Sequence, residues 1–344
     1  MATQVTFCGY VRSVVISRVV LACALGAALV APVAEPSVAQ FSGDSAATEK
    51  RVLVISVDAL NPAALARLGS EGAPSFHRLM REGAYTLNAR AQVELTKTLP
   101  NHTSMVTGRR IAGAHQGHGV DWNTHVGGTT VRKAAGRPVA SIFSLVHGAG
   151  LDSALFATER KFSLYPRSWP SIDRVMIRDN RDAGVTRALR SDLTEHSREF
   201  TFVHLGAADQ AGHAHGFMSA GYLTAVRRTD RRLGSILNTI DQHESLDDLV
   251  VVLTADHGGW GRDHDDPTKL ANYRVPFMVW GRGVAHGDLY DLNPAFARPG
   301  RRRVGFAATQ PIRNGDVANF AADLLGLGPV PHSLWDHDQK LRVR

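Results

Sequence analysis

The stretch RVLVISVD (residues 51–58) decides the fold, because it is a compact apolar run that ends in a carboxylate. Such a run predicts a strand that is buried on both faces, as strands of parallel sheets are. Asp58 would then lie at the carboxyl end of this strand. Ligands of open α/β sheets bind outside that end. The segment therefore predicts a parallel sheet and also the edge at which a site would form.

Three further apolar runs read as strands, and helical patterns alternate with them. The runs cover residues 153–158, 200–209 and 249–258. Apolar residues at helical spacing fill the interval from Leu223 to Ile240, and shorter helical patterns occupy residues 63–68 and 76–82. This alternation predicts an α/β fold with a doubly wound, mostly parallel sheet and helices on both faces.

The N-terminus predicts a cleaved export signal over residues 1–39. Arg12 and Arg18 precede an apolar run, and the small-x-small sequence SVA ends at Ala39. A retained membrane anchor is the weaker alternative, because the run is short for a span and contains Pro32. We expect a protein exported from the cytoplasm that is secreted, periplasmic or held in the cell envelope, without a stable membrane span after cleavage.

The length and composition of the chain are those of a globular protein. A polar linker (residues 40–50) leads into one predicted catalytic domain (residues 51–344), with 44% hydrophobic and 21% charged residues in the whole chain. The net charge is +7, but the only dense basic run is residues 301–303, which predicts a solvated loop and no nucleic-acid-binding module. Signal cleavage removes Cys8 and Cys23, so metal ligands must be His and carboxylates.

Three of the four predicted strands are expected to end in an aspartate, namely Asp58, Asp209 and Asp256. The carboxyl ends of parallel strands meet at one edge of a sheet, so these carboxylates are expected to converge. Converging carboxylates repel one another unless cations lie between them. One such Asp would mean little, because Asp also caps helices, but three together predict a metal site.

Histidines accompany two of these aspartates. His213 follows Asp209 by four residues, so one helical turn could direct both at the same ion. His257 lies directly after Asp256, before two glycines that would let the backbone approach an ion closely, and His264 follows soon after. Oxygen and imidazole ligands without sulfur favour two Zn²⁺ ions over Mn²⁺ or Mg²⁺.

The segment TKTLPNHTSM (residues 96–105) places two threonines around Lys97 at a predicted helix start. A hydroxyl in this position is usually a helix cap. Pro100 would begin the helix, since proline is favoured in the first turn. Lys97 and Asn101 would shape the turn.

In this order, the strand Asp, Thr-Lys-Thr-x-Pro-Asn-His, Asp-x-x-Gly-His-x-x-Gly and Asp-His-Gly resemble the type I phosphodiesterase/nucleotide pyrophosphatase branch of the alkaline phosphatase superfamily. The resemblance spans residues 51–327. It implies an alkaline phosphatase-like fold, a site with two zinc ions and a threonine nucleophile, which would be Thr98. It also implies that Asn123 helps to bind a phosphoryl oxygen. The implied ligands are Asp58, Asp256, His257 and Thr98 for one zinc, and Asp209, His213 and a later His for the other.

That later His has two candidates. His264 precedes a strand beginning at Val275, as in shorter relatives, and His286 weakly imitates the Gly-x-His-Gly segment of longer ones. The local pattern favours His264, and His286 is expected in a solvated turn.

The resemblance implies hydrolysis of a small phosphodiester or nucleotide-like anion through a phospho-threonine. Monoesterases place an arginine near the nucleophile, and here only Arg109 and Arg110 are near, at the far end of the helix. A phosphomonoesterase, a phosphonate (C–P) hydrolase and a catalytically silent metal-binding envelope protein stay open as alternatives. A sulfatase is disfavoured, because its Cys/Ser-x-Pro/Ala-x-Arg motif is missing from the nucleophile segment. Lys161, Phe162 and Tyr165 fall in the expected substrate-side insertion, which would be largely solvated. The oligomeric state and leaving group stay open.

Overall fold

The first strand, β1 (Arg51–Val57), lies inside an eight-stranded sheet, and all seven of its residues are buried. This computed structural model describes residues 50–344. The predicted signal segment (residues 1–39) and all of the predicted linker but Lys50 lie outside the described residues. No helix in the described part of the chain is long and apolar enough to cross a membrane.

The sheet is mixed but mostly parallel. The strands that follow β1 are β2 (Ala84–Arg90), β3 (Ser153–Ala157), β4 (Arg174–Ile177), β5 (Phe200–Leu205), β6 (Leu249–Thr254), β7 (Arg274–Trp280) and β8 (Gly287–Asp288). Their order is β4-β3-β5-β1-β6-β7-β2-β8. The first five strands in this order are parallel, and β7 pairs antiparallel with both β6 and β2.

Helices cover both faces of the sheet, as the sequence predicts. They are α1 (Pro62–Gly72), α2 (Pro74–Glu82), α3 (Thr98–Thr107), α4 (Val131–Ala135), α5 (Ile142–Gly148), α6 (Leu164–Ser168), α7 (Asp182–Glu195), α8 (Ala207–His215), α9 (Ala220–Asp241), α10 (Leu270–Tyr273), α11 (Leu289–Leu292) and α12 (Val317–Leu324). Helices α3, α5 and α12 contact one another on one face, and α1, α2, α7 and α9 form a connected layer on the other.

The register of the three central strands brings their carboxyl ends level. Ser56 in β1 pairs with His204 in β5 on one side and with Thr254 in β6 on the other. The residues that follow these strands therefore emerge side by side at one edge. This register places the first strand Asp and the segments that hold the other two within reach of one another.

The structure corrects two boundaries. Asp209 does not end a strand, because β5 stops at Leu205 and Asp209 lies in the first turn of α8. Helix α3 begins at Thr98 and not at Pro100, so the proline occupies the third helical position, where its missing N–H is still unneeded.

A strained turn follows β1 and is held by Tyr222 from α9. Ala59 adopts φ 55°, a left-handed conformation that is uncommon for a residue with a Cβ. The Tyr222 hydroxyl donates to the Ala59 carbonyl (2.7 Å) and accepts from the Asn61 N–H (2.9 Å). Tyr222 thereby fixes the backbone immediately after Asp58.

We predict that Tyr222→Phe lowers the free energy of unfolding by about 1–3 kcal/mol, because it leaves a buried N–H and a buried carbonyl without their partner. Urea unfolding measures the change. Tyr85→Phe is the matched control, since its half-buried hydroxyl bonds no protein atom in the described residues, and we expect little loss there. Equal losses in the two variants would contradict this role for Tyr222.

Candidate active site

The first cluster at this edge consists of Asp58, Asp256 and His257, which are all fully buried. The His257 Nε2 atom lies 3.1 Å from Asp256 Oδ2 and 3.5 Å from Asp58 Oδ1. The neighbouring Gly258 carbonyl lies 2.8 Å from His257 Nδ1. Nδ1 therefore donates to that carbonyl, and Nε2 faces the two carboxylates.

Each carboxylate in this cluster is held by one oxygen and presents the other. Asp58 Oδ2 accepts from His204 Nε2 (2.9 Å), and Asp256 Oδ1 accepts from the Ala59 N–H (3.1 Å). Asp58 Oδ1 and Asp256 Oδ2 are buried without a hydrogen-bond partner. Asp58 Oδ1, Asp256 Oδ2 and His257 Nε2 therefore face one another across a single position that a cation could occupy.

The second cluster consists of Asp209, His213 and His264. The Nδ1 atoms of His213 and His264 lie 2.9 Å and 2.6 Å from the carbonyls of Arg262 and Thr96, to which they donate. Their Nε2 atoms face each other at 3.1 Å and lie 3.4 Å and 3.6 Å from Asp209 Oδ1. Asp209 Oδ1 is also buried without a hydrogen-bond partner.

The charges of the two clusters act on one another. Burial raises the pKa of Asp58 well above its usual range, and the charge of Asp256 raises it further. Burial and then Asp58 raise the pKa of Asp209 to about 7. Burial opposes charge on Asp256 and His257 too, but their mutual attraction prevails, lowering the pKa of Asp256 and raising that of His257 to about 10. In the absence of a bound cation His257 is therefore protonated on both ring nitrogens, and a cation held by this cluster would replace the Nε2 proton.

The donor sets fit two metal ions. Buried polar groups in proteins are normally hydrogen-bonded, so three unpartnered carboxylate oxygens in one site require an explanation. Burial and the nearby His257 lower the pKa of His264 to about 2, which keeps its imidazole neutral and able to ligate. Cations placed among these oxygens and lone pairs would satisfy all of them.

Thr98 lies beside the first cluster, and Thr96 does not. The Thr98 side chain is almost fully buried at the first residue of α3, with Oγ1 3.5 Å from His257 Nε2. The Thr96 hydroxyl instead donates to the carbonyl of His264. Asn101 shapes the turn as expected, because its Oδ1 accepts from the Gln92 N–H and its Nδ2 donates to the carbonyls of Leu95 and Lys97.

Asn123 and Lys161 border the start of α3. Asn123 Oδ1 accepts from the Leu99 N–H (2.9 Å) and from Lys161 Nζ (3.3 Å). Lys161 Nζ lies 2.5 Å from Glu159 Oε2, and the carboxylates of Glu159, Asp58 and Asp209 outweigh burial and raise its pKa. Lys161 is therefore a charged group directed at the site. The expectation of a solvated insertion is wrong here, since Phe162 and Tyr165 are also fully buried.

Sequence reasoning missed two histidines that support the site. His204 orients Asp58, and its Nδ1 accepts from the Thr158 hydroxyl (3.1 Å). His102 bonds Ser56 Oγ through Nε2 (2.8 Å) and the Thr98 carbonyl through Nδ1 (2.8 Å). A His inside the otherwise apolar strand run FTFVHL was the available signal for His204. A third cluster of Asp58, Glu159 and His204 is present, but its members already bond each other or Lys161.

The glycines after His257 serve packing and not the approach to an ion. A Cβ on Gly258 would lie 2.0 Å from the Ala271 carbonyl, and a Cβ on Gly259 would lie 2.4 Å from the Phe217 ring. A Cβ on Gly212 would also overlap that ring, at 2.2 Å. Gly212 and Gly259 thereby let the Phe217 ring pack against His213 and His264, and Gly258 lets the chain approach the Ala271 backbone.

The remaining candidates lie away from the clusters. His286 is exposed and directly precedes β8, the last strand on one side of the sheet. Strands β7 and β2 lie between β8 and the three central strands. Arg109 donates to the carbonyls of Gln116 and Pro331, and Arg110 pairs with Glu94. Neither arginine is directed at Thr98.

The fold and the two clusters define an α/β protein with a candidate metal site at the carboxyl ends of its central strands. A family model for type I phosphodiesterase/nucleotide pyrophosphatase matches residues 52–273. The chain belongs to this family, as the sequence motifs indicated.

Curated relatives share only part of their length with this chain. GPI ethanolamine phosphate transferase 1 of Chaetomium globosum is 32% identical over 149 residues, which cover 41% of this chain and 16% of the relative. The venom phosphodiesterase of Naja atra is 26% identical over 198 residues, covering 54% of this chain and 23% of that protein.

Solved structures show the same fold at low identity. Murine ectonucleotide pyrophosphatase/phosphodiesterase 5 has a TM-score of 0.59 at 15% identity, covering 85% of this chain and 100% of that chain. A lipoteichoic acid synthase from Listeria monocytogenes has a TM-score of 0.59 at 14% identity, covering 86% and 76%.

We predict that His264→Ala loses about one bound metal per chain and that His286→Ala loses none, because only His264 faces Asp209 and His213. Elemental analysis after gel filtration measures both variants. Loss of metal from His286→Ala, with His264→Ala unchanged, would contradict the second cluster.

Proposed function

We propose that this protein is a zinc-dependent hydrolase of phosphodiester or nucleotide pyrophosphate bonds that acts through a phospho-threonine on Thr98. The observation that carries the proposal is the position of the Thr98 hydroxyl, at the start of α3 and beside the first cluster, whose two carboxylates each have a buried oxygen without a hydrogen-bond partner among the described residues. Its neighbour two residues away, Thr96, is bonded to the backbone instead.

The residues of the site can divide the work of such a reaction. Thr98 Oγ1 gives up its proton and attacks phosphorus, and the bond to the leaving-group oxygen breaks, so that the leaving group departs with the electron pair and takes up a proton. Water then attacks the same phosphorus, the bond to Thr98 Oγ1 breaks, and the Thr98 hydroxyl is restored. The start of α3 directs its positive end toward the phosphoryl oxygens. Asn123 Oδ1 is held by Leu99 and Lys161, so its amide nitrogen is free to donate to an oxygen that gains charge. The Lys161 ammonium adds a second donor.

Asp58, Asp256 and His257 would hold one zinc ion near Thr98, and Asp209, His213 and His264 would hold the other. When bound, such ions lower the pKa of a nucleophilic hydroxyl and neutralise developing charge on phosphate oxygens. The share of histidine among these ligands favours Zn²⁺ over Mn²⁺ or Mg²⁺.

The charge near Thr98 supports a diester or pyrophosphate in preference to a monoester. A monoester carries an additional negative charge, which an unpaired arginine could compensate. Arg109 and Arg110 are engaged elsewhere, and Lys161 is already paired with Glu159. A small nucleotide-like anion is the substrate class we favour. The inactive threonine-to-alanine variant of murine ectonucleotide pyrophosphatase/phosphodiesterase 5 binds AMP, which is in keeping with it.

Phosphoryl transfer to an alcohol is a second candidate, because several relatives of 25–36% identity are GPI ethanolamine phosphate transferases. The same Thr98 ester would then be cleaved by an alcohol in place of water. Measuring whether a phosphate ester of glycerol forms when glycerol is added distinguishes the two fates. We further propose that the protein acts after export, on the basis of the predicted signal in residues 1–39.

We predict that Thr98→Ala retains its fold and metal but loses phosphodiester hydrolysis by several orders of magnitude, because the covalent step is lost. Turnover of bis-p-nitrophenyl phosphate at equal metal content measures this. Thr96→Ala is the matched control and should retain most activity, while Thr98→Ser should keep a part. An inactive Thr96→Ala beside an active Thr98→Ala would contradict the assignment.

We predict that the purified protein binds two metal ions per chain, that chelation removes activity, and that Zn²⁺ restores more of it than Mn²⁺ or Mg²⁺. Turnover measured in EDTA and after addition of each metal tests this. Full activity in a protein shown to be metal-free would exclude the two-metal proposal.

A further inference from the structure

A second strongly charged feature is a groove between helices α7 and α9. We call it the arginine groove. It has a narrower part of about 360 Å³ and a wider part of about 560 Å³. Five arginines line its narrower part, Arg187 and Arg190 from α7 and Arg228, Arg231 and Arg232 from α9, and Arg181 lines the wider part.

The guanidinium groups of this groove lack acidic partners. None of the five forms an ion pair with the described residues. Carboxylates on the same two helices are engaged elsewhere: Asp192 pairs with Arg198, Asp230 accepts from the first N–H groups of α2, and Asp241 pairs with Arg78. Asp182 lines the wider part, where it accepts from the Ala207 N–H.

Several polar atoms of the residues that line the groove are buried and form no hydrogen bond with the described residues. Arg232 Nε and Nη1 are buried without a hydrogen-bond partner. Thr186 is 4% exposed, and its Oγ1 is also buried without one. Arg190 donates through Nε to Thr239 Oγ1 (2.6 Å), which leaves its other nitrogens available. Like charges held close together without acidic partners are unfavourable, so an anion bound in the groove would be stabilised by the guanidinium groups that line it.

We propose that the arginine groove is a binding site for a small soluble anion that carries two or more phosphate groups. Guanidinium groups bind phosphate oxygens through paired N–H donors, and clustered arginines are the usual means of binding several phosphates. No aromatic side chain lines either part of the groove, so it offers no platform on which a nucleic-acid base could stack. The guanidinium groups line a concavity between two helices, which suits a compact anion better than a flat lipid surface.

The groove is separate from the candidate active site. None of the proposed metal ligands lines it. Its wider part does reach Ala207 and Gln210 of α8, the helix that carries Asp209 and His213. The proposal does not rest on the catalytic function, and it can be tested in the active protein without an activity assay.

Arginine labelling with phenylglyoxal, read by mass spectrometry, tests the site residue by residue. The probe is bismethylene triphosphate, whose P–C–P links resist hydrolysis at P–O bonds. We expect it to protect Arg187, Arg228 and Arg231 from labelling. Arg227 is the internal control: it is exposed on the same helix, lies outside the groove and should label equally with and without the probe.

Two variants are then compared with the wild type. The quantity measured is the probe concentration that halves the labelling of Arg231. Arg187→Ala/Arg228→Ala should raise this concentration at least about tenfold, because two phosphate-binding forks are removed. Arg227→Ala should leave it unchanged. A similar rise in Arg227→Ala would overturn the site in favour of a general basic surface. Absence of protection in the wild type, or protection by phosphatidylglycerol vesicles but not by the probe, would overturn it as well.

Discussion

Three aspartate side chains meet in the interior of this protein, and the rest of the site depends on how their negative charge is held. Asp58, Asp209 and Asp256 each bury an oxygen that no protein group bonds. Level ends of β5, β1 and β6 bring the segments that carry them together. Carboxylates so placed raise the pKa of one another unless positive charge is supplied. His257 supplies some of it, and the remaining oxygens and imidazole lone pairs form two sets that suit metal ions.

The surrounding residues hold these groups in position rather than neutralise them. His204 bonds the outer oxygen of Asp58, and Tyr222 fixes the strained Ala59, whose N–H in turn bonds Asp256. One short chain of contacts therefore links α9, the turn after β1 and the loop after β6. Such supporting contacts orient ligands and set their basicity, so they bear on affinity as much as the ligands do.

The sequence predicted the sheet, the long helix α9 and the three aspartates that meet at the carboxyl ends of the central strands. Apolar runs and the aspartates that follow them are local signals. Asp209 was placed at a strand end, and it lies instead in α8, since nothing local distinguishes the last residues of a strand from the first turn of a helix. The roles of Gly258 and Gly259 could not be predicted, because the contacts that require them come from Ala271 and Phe217. The arginine groove was missed for the same reason: its residues come from two helices that only the fold brings together.

The central claim is that the buried carboxylates require bound cations, and thermal unfolding of wild type and Asp58→Asn with and without Zn²⁺ tests it most directly. Asn keeps an acceptor for His204 but cannot ionise, so it removes the cost of burying an acid whose pKa is raised by burial. We predict that the substitution raises the midpoint of the metal-free protein and abolishes most of the increase that Zn²⁺ gives the wild type. A substitution that destabilises the metal-free protein, with an unchanged response to Zn²⁺, would contradict it.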